Sequence, residues 1–364
     1  MIKKILIISS EFPPQPGGIG NHAFNLAKNL NINNFEVEVV TDQRILSNKE
    51  EKVFDSNLLF KIKRIPLRKM RVIMYFNRVF QVFKSISRNQ IIIASGKFSL
   101  WIVALASLFY KRKFIAVIHG TEVNFKKNSL KKSIDFSLKR FDKVIAVSNY
   151  TKSLIAALQL EKVDVIPNGY NELNTTSLIE CKLKGSPSLI TVGSVTRRKG
   201  QQNVINAIPE LLKIYPNLHY HIVGTPIERE VFSRIAEELA IEKYITFHGI
   251  VDEGKKQKLL KGSNIFVMLS ENTKDGDVEG FGIALLEANS QGIPTIGAKD
   301  CGIEDAIDNG KSGILIDNKN HTEFIEAIEK IMSEYDFFKK EAVIWSSKFT
   351  WNKIIKKYIK ALDF

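Results

Sequence analysis

The stretch KILIISSEFPPQPGGIG, residues 4–20, joins a short apolar run to a turn that is rich in proline and glycine. The run KILIIS has the length and the β-branched composition of a buried strand. Gly17, Gly18 and Gly20 follow it, and a helical pattern begins at Asn21. A buried strand that leads through a glycine-rich turn into a helix is typical of a β-α-β unit, so the chain is predicted to build a parallel sheet.

The same alternation of apolar runs and amphipathic segments continues along the chain. Helices are predicted at 21–30, 148–158, 323–335 and 351–362, and a loop at 168–188 interrupts the pattern. The runs predicted as strands are KILIIS, EVEVVT, IIIAS, FIAVIH, KVIAVS and VDVIPNG before this loop, and LITVGS, HYHIVG, YITFHG, IFVMLS, PTIGA and GILID after it. The sequence therefore predicts an α/β fold with two doubly wound, Rossmann-like domains and a ligand site in the cleft between them.

A chain of 364 residues that is 44% hydrophobic has enough apolar material for packed cores. Its two cysteines, Cys181 and Cys301, form no CxxC pair, so the pattern favours neither a disulfide framework nor a structural zinc site. A reducing cytoplasm fits this composition. The longest apolar segment, 98–110, is shorter than the roughly 20 residues that a membrane-spanning helix needs, so no transmembrane helix is predicted.

The net charge of +14 is concentrated in one segment. Residues 61–140 hold 19 Lys or Arg against Glu122 and Asp135, whereas the rest of the chain has 34 basic and 37 acidic residues. A nucleic-acid-binding protein is one interpretation of this charge, but the segment contains no nucleic-acid motif. An anionic membrane surface or an anionic lipid-linked acceptor fits better.

The candidate membrane contacts lie at the start of this basic segment. The sequence leaves open the alternative that the apolar residues pack in the core and the charges only solubilise the surface. The candidate cations are Lys61, Lys63, Arg64, Arg68, Lys69 and Arg71, and the apolar residues that could enter an interface are Leu67, Met70, Ile73, Met74 and Phe76.

The stretch EGFGIALLE places two glutamates, Glu279 and Glu287, around a Gly-Phe-Gly step. A helix is predicted to begin near Phe281, which would leave the amides of Phe281, Gly282 and Ile283 free to bind a diphosphate. Eight residues of helix cover at most ~12 Å, roughly the reach across a diphosphate from one sugar to the other, so each glutamate is predicted to hold one sugar. In the alternative, Glu279 only favours the helix amino terminus and Glu287 lies on a solvated face.

Two other glycine-bearing turns follow predicted strands. In VGSVTRRKG, residues 192–200, three cations lead into a helix, and such side chains suit phosphate oxygens: Arg197, Arg198 and Lys199. In EFPPQPGGIG, the glycines let a ligand approach the backbone, and the helix amino terminus behind them favours an anion. Taken alone, each turn is also compatible with a plain connection or a solvated basic loop.

Together these segments resemble the retaining glycosyltransferases of family 4, which have the GT-B architecture of two Rossmann-like domains. The resemblance runs from about Lys4 to about Asp317. It rests on the order and spacing of the Gly-Gly turn, HGTEV at 119–123, VIAVS, VIPNG, the basic turn ending in KG, HIVG, FHGIV, and the two glutamates around GFG. The forms DGDVEGFGI, HGTEV and TRRKGQ are most similar to those of mannosyltransferases and related enzymes that act on lipid-linked or polysaccharide acceptors.

The resemblance implies a retaining, metal-independent hexosyltransferase of cell-envelope or polysaccharide biosynthesis. It would move a sugar from a GDP- or UDP-linked donor to a glycan or lipid-linked acceptor, so the nucleotide sugar is a substrate and no cofactor is expected. The implied domains are an acceptor-side domain at 1–175, a nucleotide-sugar domain at 186–345, and a last helix at 346–364 that crosses back to the first domain. The expected location is the cytoplasm, peripheral on the inner face of the membrane.

By the same resemblance, the catalytic residues are His119, Glu279 and Lys199. Lys199 would bind the donor diphosphate with Arg198 beside it, Glu279 would contact the donor sugar, and Glu287 would hold the ribose. His119 would contact the transferred sugar. In the alternative, it is a structural histidine at a strand end whose hydrogen bonds are satisfied within the protein. The remaining ligand-binding positions are Gly17 and Gly18 at the phosphate and acceptor cleft and the amides of Phe281, Gly282 and Ile283.

One position departs from the family pattern. Ser194 stands where family members commonly have Arg, five positions before Lys199, so either Arg197 or Arg198 replaces that charge or the diphosphate is held more loosely. No metal site is predicted at DGD, residues 275–277, because this segment lies in a polar loop of a GT-B-like chain. A GT-B-like sugar phosphorylase or nucleotide-sugar epimerase is the alternative enzyme class.

Overall fold

The computed structural model describes residues 3–172 and 183–363, which form two compact units. The first unit is Met1–Gly169 together with Trp351–Phe364, and the second is Tyr170–Thr350. Each unit contains a parallel sheet with helices, so the predicted α/β class with two Rossmann-like domains is confirmed.

The first unit is built on a parallel sheet, seven-stranded over its described residues. The strands are β1 Lys4–Ser9, β2 Glu36–Asp42, β3 Lys61–Ile65, β4 Ile91–Ser95, β5 Lys113–Ile118, β6 Lys143–Ala146 and β7 Val163–Val165. The helices are α1 Gly18–Ile32, α2 Lys49–Ser56, α3 Arg71–Ile86, α4 Lys97–Ala106, α5 Asn128–Leu138 and α6 Asn149–Ser153, with 3-10 turns at Thr121–Val123 and Ala156–Leu158. The order β3-β2-β1-β4-β5-β6-β7 reverses between β1 and β4, which is where such sheets bind ligands.

The second unit is also built on a parallel sheet, which has six strands in the described part of Tyr170–Thr350. The strands are β8 Ser188–Val192, β9 His219–Val223, β10 Ile245–Gly249, β11 Ile265–Met268, β12 Thr295–Ala298 and β13 Gly313–Ile316. The helices are α7 Gln201–Ile214, α8 Arg229–Glu238, α9 Glu253–Lys261, α10 Ile283–Asn289, α11 His321–Ser333 and α12 Tyr335–Ser346, with 3-10 turns at Arg197–Lys199, Glu242–Tyr244, Gly302–Ala306 and Ser347–Phe349. The order is β10-β9-β8-β11-β12-β13, which reverses between β8 and β11.

The central strands are apolar on both faces because helices cover both sides of each sheet. In β1, Ile5, Leu6 and Ile7 are fully buried, and in β11 Ile265 and Phe266 are as well. Each run that was predicted as a strand does form one, with ends that differ by at most four residues. The β-branched composition and length of these runs were therefore sufficient to locate them.

Four predictions about elements are corrected by the structure. Strand β3, with the sequence KIKRI, was not predicted, because at the edge of the sheet its lysines can stay in solvent and the apolar run is short. Helix α1 begins at Gly18 rather than at Asn21, because the glycines form its first turn. The helix predicted at 148–158 is shorter, since α6 ends at Ser153 and a 3-10 turn follows. Helix α10 begins at Ile283, two residues after Phe281.

One predicted membrane contact belongs to an internal ion-pair network instead. The Arg64 side chain is 10% exposed, and it pairs with Asp55 (Nε–Oδ2 2.8 Å) and Glu51 (Nη1–Oε1 3.2 Å). Arg64 also donates to the carbonyl of Pro13 in the turn after β1. Because Glu51 is fully buried, its charge requires a cation partner, and Arg64 supplies one.

Helix α13, Trp351–Leu362, belongs to the first unit, where it packs on α1. The hydroxyl of Tyr358 lies 2.9 Å from Nε2 of His22. The Trp351 ring lies against Gly169, where an added Cβ atom would be 2.8 Å from the indole. The first unit therefore ends at Gly169 and resumes at Trp351, whereas the predicted boundaries were 1–175 and 346–364. Cys301 is buried and not disulfide-bonded, and Cys181 lies outside the described residues.

No helix in the parts of the chain at 3–172 and 183–363 combines the length and the apolar character needed to cross a bilayer.

Gly200 joins the basic turn at Arg197–Lys199 to α7 and holds this turn against the end of β11. Its φ of 76° lies in the left-handed region. A Cβ atom on this residue would lie 1.8 Å from the carbonyl oxygen of Leu269. No side chain fits there without separating the two segments, so the position requires glycine.

We expect Gly200→Ala to lower the free energy of unfolding more than Gly310→Ala does. Gly310 is a matched control, because its φ is 80° and an added Cβ atom would meet nothing within 4 Å. Both substitutions carry the left-handed backbone cost of ~1–2 kcal/mol, and the clash at Gly200 should raise its total to about 3 kcal/mol or more. Urea denaturation of both variants measures this, and equal losses would contradict the described packing of the turn.

Candidate functional site

The basic turn after β8 directs two of its three cations toward one carboxylate. Nζ of Lys199 lies 2.8 Å from Oε2 of Glu279, and Nη1 of Arg198 pairs with the same oxygen. Arg197 is exposed, and its backbone amide donates to Glu228 (2.6 Å). The structure therefore brings together three of the predicted site residues, Arg198, Lys199 and Glu279.

Glu279 is 8% exposed, so its charge depends on these partners. Burial by itself would raise the pKa of Glu279, but the charges of Lys199 and Arg198 outweigh it, so the pKa lies below its usual value. The carboxylate is ionised at neutral pH. Two cations thus converge on a single carboxylate, and such side chains can also bind the oxygens of an anion.

The segment DGD contributes to the same cluster. Oδ2 of Asp277 lies 3.0 Å from Nε of Arg198, and the Arg198 carbonyl accepts from the amide of Glu271 (3.1 Å). Among the described residues, no group of three His, Cys, Asp or Glu side chains could hold a metal ion. Ser194 precedes the turn in the chain, and its carbonyl accepts from Nε2 of Gln201 (3.1 Å).

The Gly-Phe-Gly step precedes α10, whereas the helix was predicted to begin within this step, near Phe281. Gly282 has a φ of 83° and caps the helix, which begins at Ile283, so only part of the span from Glu279 to Glu287 is helical. Phe281 is buried and its ring lies 6.0 Å from that of Phe349. The amides of Phe281, Gly282 and Ile283 donate to no carbonyl in the described ranges, so they are available to donate hydrogen bonds to an anion.

Glu287 lies on α10 with its side chain 24% exposed, and it is not simply solvated. Its Oε2 lies 3.1 Å from Nζ of Lys256 on α9, which also pairs with Glu253 (3.0 Å). The pKa of Lys256 is raised, since the two carboxylates outweigh the lowering effect of burial. Sequence reasoning missed Lys256 because it is one of four lysines in the run GKKQKLLKG, and nothing local distinguishes it.

In the first unit, the glycine turn after β1 forms the amino terminus of α1. A Cβ atom on Gly17 would lie 2.2 Å from Oε2 of Glu11, so this glycine permits a close approach to a carboxylate. Gly18 differs, because an added Cβ atom there would meet nothing within 4 Å. The backbone at Gly18 therefore borders open space, as a ligand-lining position requires.

His119 follows β5 and is held by three neighbours. Its Nε2 lies 2.9 Å from Oγ of Ser95, its amide donates to Oε1 of Glu122 (2.6 Å), and its ring lies 5.0 Å from the His22 ring in a T-shaped contact. Burial lowers the pKa of His119 to about 4, so the imidazole is neutral at pH 7. Its Nδ1 has no hydrogen-bond partner among the described residues, which leaves that atom for a ligand.

Three residues around His119 were not assigned by sequence reasoning: His22, Ser95 and Glu122. Glu122 is part of the HGTEV motif, so the sequence shows that it lies near His119 in the chain. The sequence does not show that Glu122 is buried. It is 4% exposed, and its Oε2 has no hydrogen-bond partner within the described parts of the chain. Burial raises the pKa of Glu122 to about 7, against a usual value of 4.5.

This raised pKa predicts a stability that depends on pH. Below pH 4.5 Glu122 is protonated in both states, and between about 4.5 and 7 the folded state holds a proton that the unfolded state has released. The stability is therefore highest below about pH 4.5 and is lost progressively as the pH rises to about 7. Glu122→Gln stays neutral, so relative to wild type its free energy of unfolding should rise between pH 5 and pH 8 by roughly 3 kcal/mol. Urea denaturation across this range tests the prediction, and a difference that does not change with pH would contradict it.

Comparison with known protein families covers most of the chain. Residues 16–172 match the Glycosyltransferase Family 4 domain, and residues 179–350 match the domain described as Glycosyl transferases group 1. The basic turn, Glu279 and Glu287 all lie within the second match, and His119 lies within the first. Both matches therefore contain predicted site residues.

The curated relatives are distant in sequence. One of them, a phosphatidylinositol N-acetylglucosaminyltransferase subunit of Arabidopsis thaliana, is 24% identical over 351 residues, which cover 91% of this chain and 74% of that protein. The GDP-mannose-dependent alpha-(1-6)-phosphatidylinositol monomannoside mannosyltransferase of Mycobacterium tuberculosis is 24% identical, but the match covers only 62% of this chain and 61% of that protein. An uncharacterized glycosyltransferase of Methanocaldococcus jannaschii is 23% identical, with 98% of this chain and 97% of that protein covered.

Solved structures show the same fold at low identity. Sucrose-phosphate synthase of Thermosynechococcus elongatus has a TM-score of 0.79 at 17% identity, covering 99% of this chain and 98% of that one. Anabaena HepE, solved in complex with UDP and glucose, has a TM-score of 0.79 at 18% identity, covering 99% of both chains. The fold is thus that of the GT-B glycosyltransferases. With both of its domains matched, the chain belongs to the family 4 glycosyltransferases.

Proposed function

We propose that this glycosyltransferase moves a sugar from a nucleoside-diphosphate donor, GDP- or UDP-linked, to a glycan or lipid-linked acceptor, with retention of the anomeric configuration. The observation that carries the proposal is the convergence of Lys199 and Arg198 on Glu279, close in sequence to the backbone amides of the Gly-Phe-Gly step. This arrangement offers two positioned cations and backbone hydrogen-bond donors, which are the groups that a diphosphate leaving group needs. The relatives named for a GDP-mannose donor and the fold neighbour solved with UDP support the nucleotide part of the proposal.

Each predicted site residue has a role in this proposal. Lys199 and Arg198 bind the diphosphate, and Glu279 orders these cations and accepts from hydroxyls of the donor sugar. Oε1 of Glu287 has no partner among the described residues and is proposed to accept from the ribose, while Oε2 remains paired with Lys256. In the first unit, Nδ1 of His119 is proposed to contact a hydroxyl of the transferred sugar. Gly17 and Gly18 are proposed to line the phosphate and acceptor region.

The proposed reaction breaks the bond between the anomeric carbon and the diphosphate oxygen and forms a bond from that carbon to the acceptor oxygen on the same face. The acceptor proton passes to the departing phosphate, so the step needs no carboxylate nucleophile. The charge that develops on the diphosphate is stabilised by the two cations and the amides of Phe281, Gly282 and Ile283, and we propose that no metal ion is required. Neutral His119 can hydrogen-bond a sugar hydroxyl without adding charge near the reacting carbon.

Two of the relatives carry names with phosphatidylinositol acceptors, which supports a lipid-linked acceptor for this chain. We propose that the enzyme works in the cytoplasm, at the inner face of a membrane that presents this acceptor.

Acceptor-dependent release of nucleoside diphosphate tests the reaction class. A panel of GDP- and UDP-sugars is incubated with lipid or glycan acceptors in the presence of a chelator, and proton NMR of the product gives the anomeric configuration. Release that requires the acceptor, with retention, is expected. An epimerase would change the donor sugar without releasing nucleoside diphosphate, and a phosphorylase would require inorganic phosphate, so either result would overturn the proposal.

We expect Lys199→Ala to lower kcat/KM by about 10²-fold or more, because it removes a charge from the leaving diphosphate. Folding should be retained, since Glu279 keeps Arg198 as a partner. Lys213→Ala is the matched control, because Lys213 lies on α7, which follows the same turn, and is exposed. Steady-state kinetics and thermal melting of both variants test this. Wild-type turnover in a folded Lys199→Ala protein would show that Lys199 does not bind the diphosphate.

The two glutamates should have separable effects. Glu279→Gln removes the charge that neutralises Lys199 and Arg198, so nucleoside diphosphate should bind at least as tightly while turnover falls. Glu287→Gln should weaken nucleoside diphosphate binding by about tenfold, because a ligand of the ribose is altered. Calorimetric titration of nucleoside diphosphate into each variant decides between the two roles.

Glu253→Gln is the control for Glu287, since Glu253 shares Lys256 with it but is 61% exposed. If the loss of binding came from the ion pair with Lys256 alone, Glu253→Gln would show it as well. Equal loss of affinity in the Glu279 and Glu287 variants would show that the assigned roles are wrong.

A further inference from the structure

Helix α3, Arg71–Ile86, is apolar on two opposite sides. Its inner side packs into the first unit through Val82 and Ile86, which are fully buried. On the same side Arg78 pairs with Asp42 (Nε–Oδ1 2.8 Å), and its guanidinium lies 3.8 Å from the centre of the Phe98 ring. This side needs no further partner.

The outer side of α3 exposes bulky apolar side chains to solvent. Val72 is 60% exposed, Ile73 50%, Phe76 73% and Phe80 63%. At 100° per residue, these four side chains fall within about 100° of arc, so they form one continuous stripe along the helix. Scattered exposed apolar residues are normal, but a stripe of this kind marks an interaction surface.

The apolar surface continues onto the segment after α4. The Phe109 ring lies 5.9 Å from the Phe83 ring of α3, and Phe109 is itself 69% exposed, with Leu108 56% exposed beside it. We call the α3 stripe together with Leu108 and Phe109 the α3 surface. Helix α3 and the turn after α4 therefore both contribute to it.

Exposed cations border the α3 surface. Residues 61–140, which contain this surface, contribute no unpaired carboxylate to it. Arg68 and Lys69 are exposed before α3, Lys84 is exposed near its end, and Lys111 and Arg112 are exposed just after Phe109. Residues 61–140 contain only two acidic residues, Glu122 and Asp135. Glu122 is buried, and Asp135 pairs with Lys131. The surface thus combines exposed apolar side chains with exposed positive charge.

This combination selects among possible occupants. A second copy of the chain would bring the same cations face to face, because a two-fold interface pairs each surface with itself, and like charges would oppose it. An anionic bilayer complements both features, since phenylalanine and aliphatic side chains enter the acyl boundary while lysine and arginine remain at the headgroups.

We propose that the α3 surface docks the first unit onto an anionic lipid bilayer, with α3 lying in the plane of the interface. The inference rests on the proposed membrane location of the enzyme but not on its proposed chemistry. It also revises the sequence prediction, because Arg64 is engaged inside the unit, while Phe80, Leu108 and Phe109 join the contact. Docking needs no refolding of α3, since its inner side is already packed.

Vesicle co-sedimentation tests the proposal with the whole chain and without donor or acceptor, so its outcome is independent of whether the transferase assignment holds. We expect pelleting with phosphatidylcholine vesicles that contain phosphatidylglycerol and much weaker pelleting with phosphatidylcholine alone. Binding should fall steeply as salt is raised from about 0.1 M to about 0.5 M, because screening shortens the range of the charge attraction. Phe76→Ser with Phe80→Ser should lower partitioning by at least about tenfold.

Charge and hydrophobic controls make the outcome decisive. Arg68→Glu with Lys69→Glu should weaken binding to anionic vesicles, whereas Lys213→Glu with Lys330→Glu, both exposed in the second unit, should have little effect. Ile227→Ser with Phe337→Ser removes exposed apolar side chains from the second unit and should leave binding unchanged. Absence of pelleting, or pelleting that ignores lipid charge and the α3 variants, would overturn the proposal. Sedimentation velocity measures self-association. A wild-type dimer that dissociates in Phe76→Ser would show that the α3 surface binds a second copy of the chain and would overturn the proposal.

Discussion

The ion pairs of Glu279 are the constraint on which the site of the second unit depends. A carboxylate that is 8% exposed stays ionised only when cations satisfy it, and Lys199 and Arg198 both do so. These pairs tie the turn after β8 to the loop after β11. Gly200 joins the same two segments through the backbone, because it packs against the carbonyl of Leu269. The cations are therefore positioned before any anion arrives, and a bound diphosphate does not have to order them.

The first unit positions its polar groups by a different device. Glu122 is buried without a cation, accepts from the amide of His119, and carries a raised pKa as a result of its burial. Ser95 at the end of β4 holds the other side of the imidazole. The residues that hold His119 come from the ends of neighbouring parallel strands and the turn after β5, so the sheet order itself brings them together. One unit thus presents cations that are held by carboxylates, and the other presents a neutral hydrogen-bonding group.

The excess of basic residues divides into two physical classes that a charge count cannot separate. Arg64 and Arg78 are largely buried and offset buried carboxylates, so their role is structural. Arg68, Lys69 and Lys84 are exposed around the outer stripe of α3 and shape the field there. Only the second class is available to a membrane or another partner, which is why burial had to be known before the charge could be interpreted.

The sequence alone determined the α/β class, the two domains and the position of every strand that is buried on both faces, because a continuous β-branched run has few alternatives in a parallel sheet. It also indicated the Arg198, Lys199 and Glu279 positions, since short motifs at strand ends are local. Only the tertiary structure decided that Arg198 and Lys199 converge on one oxygen of Glu279, that Lys256 pairs with Glu287, and that β3 forms an edge strand from KIKRI. The physical reason is that ion pairs, edge pairing and the burial of a single charge depend on residues far apart in the chain, and no local pattern records them.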